Sequence, residues 1–140
     1  MARKRKLKML IGLNSDSLEL VKTKMTTIRE LERTKQVGYL IGYFIPKEDG
    51  KVVANIEDVV VPQQFQTGKN AYVSNGIEAE LFKDMEREHR QIVGYAYNLG
   101  NKKVCNESFA SHERARVSIK LGHPILSMII NSKGKYEFYQ

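Results

Sequence analysis

Apolar and polar positions alternate with two different periods along this chain, and the switches between them mark its elements. The stretch Leu7 to Leu13 reads as a short strand stopping at Asn14-Ser15, where Ser15 or Asp16 can accept the free amides of a helix start. Leu18, Val21, Met25, Ile28 and Leu31 then fall at helical spacing, predicting a helix to about Arg33. Gln36 to Phe44 reads as a buried strand, and Pro46-Lys47-Glu48-Asp49-Gly50 as a hairpin turn in which Gly50 takes a positive φ. Lys51 to Val61 is the returning strand, followed by a polar, mostly irregular stretch from Pro62 to Ser74 with a short strand near Ala71 to Val73. A second helix runs from Asn75 or Gly76 to Glu88 or His89, with Ile77, Leu81 and Met85 inward. Gln91 to Asn98 is another buried strand, Leu99 to Asn106 a loop, and Phe109 to Leu121 a third helix. Ile125 to Asn131, a turn over Ser132 to Lys135, and Tyr136 to Tyr139 form a closing hairpin. The order predicts one α+β domain, a curved mixed β-sheet flanked by helices.

Composition narrows the class without naming a function. The chain has 140 residues, 41% hydrophobic and 28% charged, which suits one folded domain. Its apolar runs stop at about five residues against the roughly 20 of a membrane span, and no apolar stretch of signal-peptide length follows the basic N-terminus. The single cysteine, Cys105, has no internal partner. A cytoplasmic setting is therefore expected, and nothing around Cys105 suggests a nucleophile.

Lys and Arg outnumber Asp and Glu by 23 to 16, a net +7 that makes an acidic partner such as RNA reasonable. Residues 1–8 form a basic arm ahead of the domain at 9–140, with Arg3, Lys4, Arg5, Lys6 and Lys8 as candidate phosphate contacts. The bland alternative is a solvated terminus. Lys102, Lys103, Arg114 and Arg116, on and before the third helix, extend the candidate nucleic-acid-binding set, with Lys120 beside them. Arg87 and Arg90 fit the same stripe less well. Tyr95, Tyr97 and Phe109 offer either stacking surfaces or core. Phe65, among Gln63, Gln64, Gln66 and Tyr72, is either a partner contact or folded back.

Three stretches, taken with the β-α-β-β-α-β-α-β-β order, resemble the MPN domain family, called JAMM when it carries metal. They are Val37-Gly38-Tyr39-Leu40-Ile41-Gly42, Ile92 to Gly100, and Gly122-His123-Pro124-Ile125-Leu126-Ser127 with Gly134-Lys135-Tyr136. The resemblance runs from about Leu7 to Tyr139. It implies an MPN-like (cytidine-deaminase-like) fold. In active members two His on one strand and an Asp from the next helix hold zinc, and a Glu takes the proton from its water.

By that resemblance the Glu position falls on Lys35, the two His on Tyr97 and Leu99, and the Asp on Ser111, or on Ala110 if the loop is one shorter. Ser108 keeps the serine that assists the oxyanion. A cation, a neutral phenol and an alkyl side chain leave neither zinc ligands nor base, so no metal or cofactor is implied. Lys35 either points into this vestigial site, where it repels divalent ions, or lies on a solvent face. His89 suits a helix C-terminus, and His123 sits in a loop. His112 and Glu113 diverge by about 100° on a helix, so they do not face one site. The resemblance implies a non-catalytic scaffold or binding module within a larger assembly, with protein subunits, another MPN domain among them, as partners. Two alternatives stand beside it: an RNA- or ribosome-associated basic binding protein, and a divergent isopeptidase.

Overall fold

The computed structural model describes residues 8–28 and 33–140. A six-stranded, curled mixed sheet forms the centre, in the order β1-β3-β2-β6-β7-β8. Strand β1 (Lys8–Gly12) lies parallel to β3 (Lys51–Val60), which runs antiparallel to β2 (Gln36–Pro46). β2 is antiparallel to β6 (Gln91–Asn98), β6 parallel to β7 (Leu126–Ile130), and β7 antiparallel to β8 (Tyr136–Tyr139). Helix α1 (Ser15–Thr26) covers one face through Val21 and Met25, packed with Leu40, Ala54, Ile56 and Met128. Helices α2 (Asn75–Arg87) and α3 (Ser108–Leu121) cover the other, where Leu81, Met85, Ala110 and Val117 meet Val37, Tyr39, Tyr95 and Tyr97. No helix among the described residues is long and apolar enough to cross a membrane.

The glycines of the two central strands explain their spacing. A Cβ on Gly38 would lie 2.5 Å from Met25 Sδ, so α1 sits directly on that strand. At Gly42 the approach is backbone to backbone, with a Cβ placed 1.7 Å from the Asn55 carbonyl oxygen. The β2–β3 register shifts between Ile41 and Gly42, and the β2–β6 register between Leu40 and Ile41. These paired bulges bend the strand and curl the sheet. Gly42→Ala must push β3 away and is expected to destabilise the chain by about 3 kcal/mol. Urea denaturation checks this, and an unchanged midpoint would show that the bulge has room for a methyl group.

Two expectations about elements are corrected. The first helix stops at Thr26 instead of reaching Arg33. Thr26 and Thr27 hydroxyls donate to the Lys22 and Thr23 carbonyls, both at 2.7 Å, and Thr27 turns to an extended ψ of 97°. Two β-branched residues whose hydroxyls bond back to the preceding turn close the helix there. Ile28 therefore lies past its end, and Leu31 lies outside the described residues. The short strand read near Ala71 to Val73 is present as β5 (Asn70–Tyr72), but the stretch before it is not irregular: β4 (Phe65–Thr67) pairs with β5 in a small hairpin turned at Gly68 with φ +60°. At the β2–β3 turn both Asp49 and Gly50 are left-handed, at φ 61° and 71°.

Candidate functional site

The entry to β2, the exit from β6 and the start of α3 meet at one end of the sheet. Gln36 pairs with Asn98 and Val37 with Tyr97, so the register carried one residue further sets Lys35 against Leu99. Buried Asn98 fixes this corner by donating to the Met25 carbonyl at 2.8 Å and accepting from Gly100 N at 2.7 Å. Gly100 has φ +72°, and a Cβ there would come within 3.1 Å of the Thr34 carbonyl. Ser132 N donates to the Gly100 carbonyl at 2.8 Å, tying the loop after β6 to the β7–β8 turn.

The β4–β5 hairpin is bolted to the same corner by glutamines. Gln64 accepts from Val37 N at 2.6 Å and donates to the Val37 carbonyl at 2.9 Å. Gln66 accepts from Thr34 N and Lys35 N at 2.9 and 3.2 Å. Gln64 thus acts as a surrogate strand neighbour and is buried. Phe65 stays 51% exposed, stacked on Tyr72 with ring centres 5.8 Å apart. Tyr72 and Tyr97 in turn pack on Phe109 at 5.3 and 5.4 Å, an aromatic run from the surface into the core.

Lys35 is only 8% exposed, and the charged groups around it are Lys102, Glu107 at the N-cap of α3, and Lys69. Burial first, then the Lys102 cation, hold its ammonium below the ordinary lysine range. Tyr97 is fully buried; its hydroxyl accepts from Ala71 N at 3.1 Å, and burial pushes its pKa up to about 12. Leu99 is buried, with its N–H donating to the Ile130 carbonyl at 2.8 Å. Ser108 is the exposed first residue of α3, and Ser111 donates through its hydroxyl to Asn106 Oδ1 at 2.8 Å. Tyr97 thus packs on Phe109 in the first turn of α3, the charge of Glu107 at that helix's N-cap acts on Lys35, and the Ser111 hydroxyl is held by its own helix entry. Among the described residues no group of three His, Cys, Asp or Glu side chains could hold a metal ion. The side chains at this corner, an ammonium, a neutral phenol and an isobutyl group, do not fit zinc.

Beside this corner opens a groove of about 670 Å³ between the loop after β6 and the β7–β8 turn. Its rim carries Lys102, Lys103, Lys133 and Lys135, with Tyr136 and one acid, Glu137. Asn131 shapes the turn that presents two of them, its Oδ1 accepting from Lys133 N at 3.0 Å and Lys135 N at 3.1 Å. All four lysines are exposed, and none is ion-paired among the described residues.

The other candidate cations go elsewhere. Arg116 forks onto both oxygens of Glu78 at 2.7 and 3.0 Å and also bonds Glu113, so its charge is neutralised inside the α2–α3 interface. Lys120 joins Glu78 at 3.1 Å, and the Tyr39 hydroxyl donates to it. Arg114 is half-buried on α3, away from the groove's lining. Arg87 and Arg90 pair with Asp84 and Glu88. Arg3, Lys4, Arg5 and Lys6 lie outside the described residues, and Lys8 opens β1. Tyr95 and Tyr97 belong to the core and offer no stacking face. Cys105 is exposed, His112 is exposed on α3, and the His123 ring packs against Phe44 at 5.3 Å.

Lys133 and Lys135 are the groove residues that the sequence reading missed. Their signal was present: Lys-Gly-Lys in a tight turn after a strand, beside the loop that follows the preceding strand. The Glu78 network had no comparable signal, because its members lie 38 to 42 residues apart. No protein-family model matches the chain, and no curated protein matches it.

Proposed function

We propose that this chain is a non-catalytic, MPN-like binding module that takes the phosphate backbone of single-stranded RNA in the lysine-rimmed groove. One observation carries the reading: four unpaired lysines, Lys102, Lys103, Lys133 and Lys135, around a groove of about 670 Å³ with a single acid. Lysines held on short, pinned turns present point charges to phosphates and pay off as released counterions. Exposed Phe65 stacked on Tyr72 supplies a face on which a base can lie. The MPN-like part of the reading is supported by the order of elements and by Tyr97 packing on Phe109 in the first turn of α3. The residues at that corner argue against an isopeptidase, and the purified chain is expected to carry no stoichiometric zinc by metal analysis. One zinc per chain would overturn the non-catalytic reading.

The direct test is a tagged pull-down from the native host, split into nuclease-treated and untreated halves. Partners lost with the RNA, including ribosomal ones, are expected. Partners that all survive nuclease would overturn the RNA reading in favour of a protein scaffold. The surface that would then matter is the β1 side of the sheet, where Leu10, Val53 and Ile45 stand in register beside Tyr43. Leu10, Tyr43 and Ile45 are about 40% exposed there.

A further inference from the structure

The wall of the lysine-rimmed groove holds one aromatic ring, that of Tyr136, the first residue of β8. Its place is fixed from below. Tyr136 pairs with Ile130 across β7 and β8, meets Phe138 edge-on with ring centres 5.8 Å apart, and packs against the core under α1. Part of it remains open to solvent. Over the ring stands a charge: Lys22 of α1 holds its Nζ 5.9 Å from the ring centre. The lysine also leans on the β7–β8 turn, where a Cβ on Gly134 would lie 3.2 Å from Lys22 Cε and 3.8 Å from Nζ. Lys22 has no ion-pair partner among the described residues, and the turn it leans on carries two like charges, Lys133 and Lys135.

Magnitudes decide what happens when a strand enters the groove. An exposed cation–π contact is worth about two- to fivefold in an equilibrium, and at 5.9 Å this one lies near the outer limit of the interaction. A base stacked on an aromatic ring is worth roughly five- to 150-fold. A base therefore displaces the ammonium from the ring, and the displaced ammonium, on its flexible stem, pairs with the phosphates of the same strand. We propose that Tyr136 is the nucleobase platform of the groove, covered in the free chain by Lys22, which moves to a backbone phosphate when a base stacks there. The inference rests on the RNA reading of the groove and adds a selectivity to it: strands that carry bases are preferred over polyanions that do not. Stacking accepts every base, so little sequence preference is expected.

The test titrates a short single-stranded RNA and inorganic polyphosphate, a polyanion without bases, into the full chain at several salt concentrations. The chain contains no tryptophan, so Tyr136→Trp places a single fluorophore in the groove. Its emission is expected to be quenched by RNA and not by polyphosphate. Tyr136→Leu is expected to weaken RNA binding about tenfold or more at every salt concentration and polyphosphate binding much less, with Tyr136→Phe recovering most of the loss. Lys22→Gln is expected to flatten the salt slope of RNA binding by about 0.7, the share of one phosphate contact. Emission quenched equally by both probes or by neither, or a Tyr136→Leu chain that keeps its RNA affinity, would overturn the platform. An unchanged slope in Lys22→Gln would overturn the part given to Lys22. Should Tyr136→Leu fail to fold, the tryptophan and Lys22 variants still decide. A wild-type chain that binds neither probe overturns the groove reading and this inference with it. A chain that binds both probes while Tyr136→Leu binds RNA undiminished overturns the platform and leaves the groove standing.

Discussion

Glu78→Gln is expected to destabilise the chain by about 3 kcal/mol, near the low end of what removing one partner of a buried ion pair costs. Glu78 is 1% exposed and accepts from Arg116 through both oxygens, from Lys120 and from Tyr39. The amide keeps the shape but not the charge, leaving Arg116 with Glu113 and Lys120 with no ion-pair partner among the described residues. The network joins α2, α3 and β2, so its loss loosens α3. Burial alone would raise the Glu78 pKa, but the bonds from Arg116, Tyr39 and Lys120 outweigh it and hold the carboxyl below its ordinary value.

The sign of the pH dependence follows. A carboxyl with a lowered native pKa binds fewer protons folded than unfolded, so its stabilisation is complete above the unfolded value near pH 4.3. It is lost as pH falls through the native value. The stability difference between wild type and Glu78→Gln is therefore expected to be flat from about pH 6 to 8. It should shrink below about pH 4.3 in urea melts. A difference independent of pH down to acid unfolding would show that Glu78 contributes by shape alone.

Replacing Lys102, Lys103, Lys133 and Lys135 together with Gln is expected to flatten the salt dependence of single-stranded RNA binding. With about 0.7 counterions released per phosphate neutralised, four contacts correspond to a slope smaller by about three units. At 0.1 M salt that amounts to an affinity lower by about 100- to 1000-fold. The four side chains are exposed and unpaired among the described residues, so stability is expected to change little. Arg87→Gln with Arg90→Gln is the matched control. Those cations are already paired with acids, and Arg90 precedes β6, whose far end leads into the groove. A slope unchanged in the lysine variant, or flattened equally in the control, would remove the groove from RNA binding. Replacing Arg3, Lys4, Arg5 and Lys6 with Ala measures separately whether the N-terminal arm adds contacts of its own. A loss of about three units there would make the arm a second site.

Most elements could be read along the chain because their signals are local. The alternating and continuous apolar runs locate β2, β3, β6 and β7. Gly50 and Gly134 take the positive φ that their turns require, and Gly122 ends α3 in the left-handed region. Where local signals compete, the reading slipped. Ile28 and Leu31 continue a helical spacing past Thr26, but two threonine hydroxyls bonding to the previous turn close the helix first. The β4–β5 hairpin has strands of only three residues, too short for periodicity to register. Gln64 and Gln66 hold it in place by replacing strand hydrogen bonds with side-chain amides.

What each charge does is a different kind of property. The α+β order, the positions of most strands and helices, the excess of positive charge and the chemistry of the side chains at positions 35, 97 and 99 are legible along the chain. Only the tertiary structure decided which cations are neutralised and which are free. Arg116 and Lys102 look alike on the basic stripe before folding, yet one closes on a buried glutamate and the other stands beside a second lysine. The reason is the steepness of charge interactions with distance and burial. A partner about 40 residues away in sequence governs a charge once folding brings it within about 3 Å in a low-dielectric interior. Lys133 and Lys135 join Lys102 and Lys103 for the same reason: β7 pairs with β6, and their following turns open on the same groove.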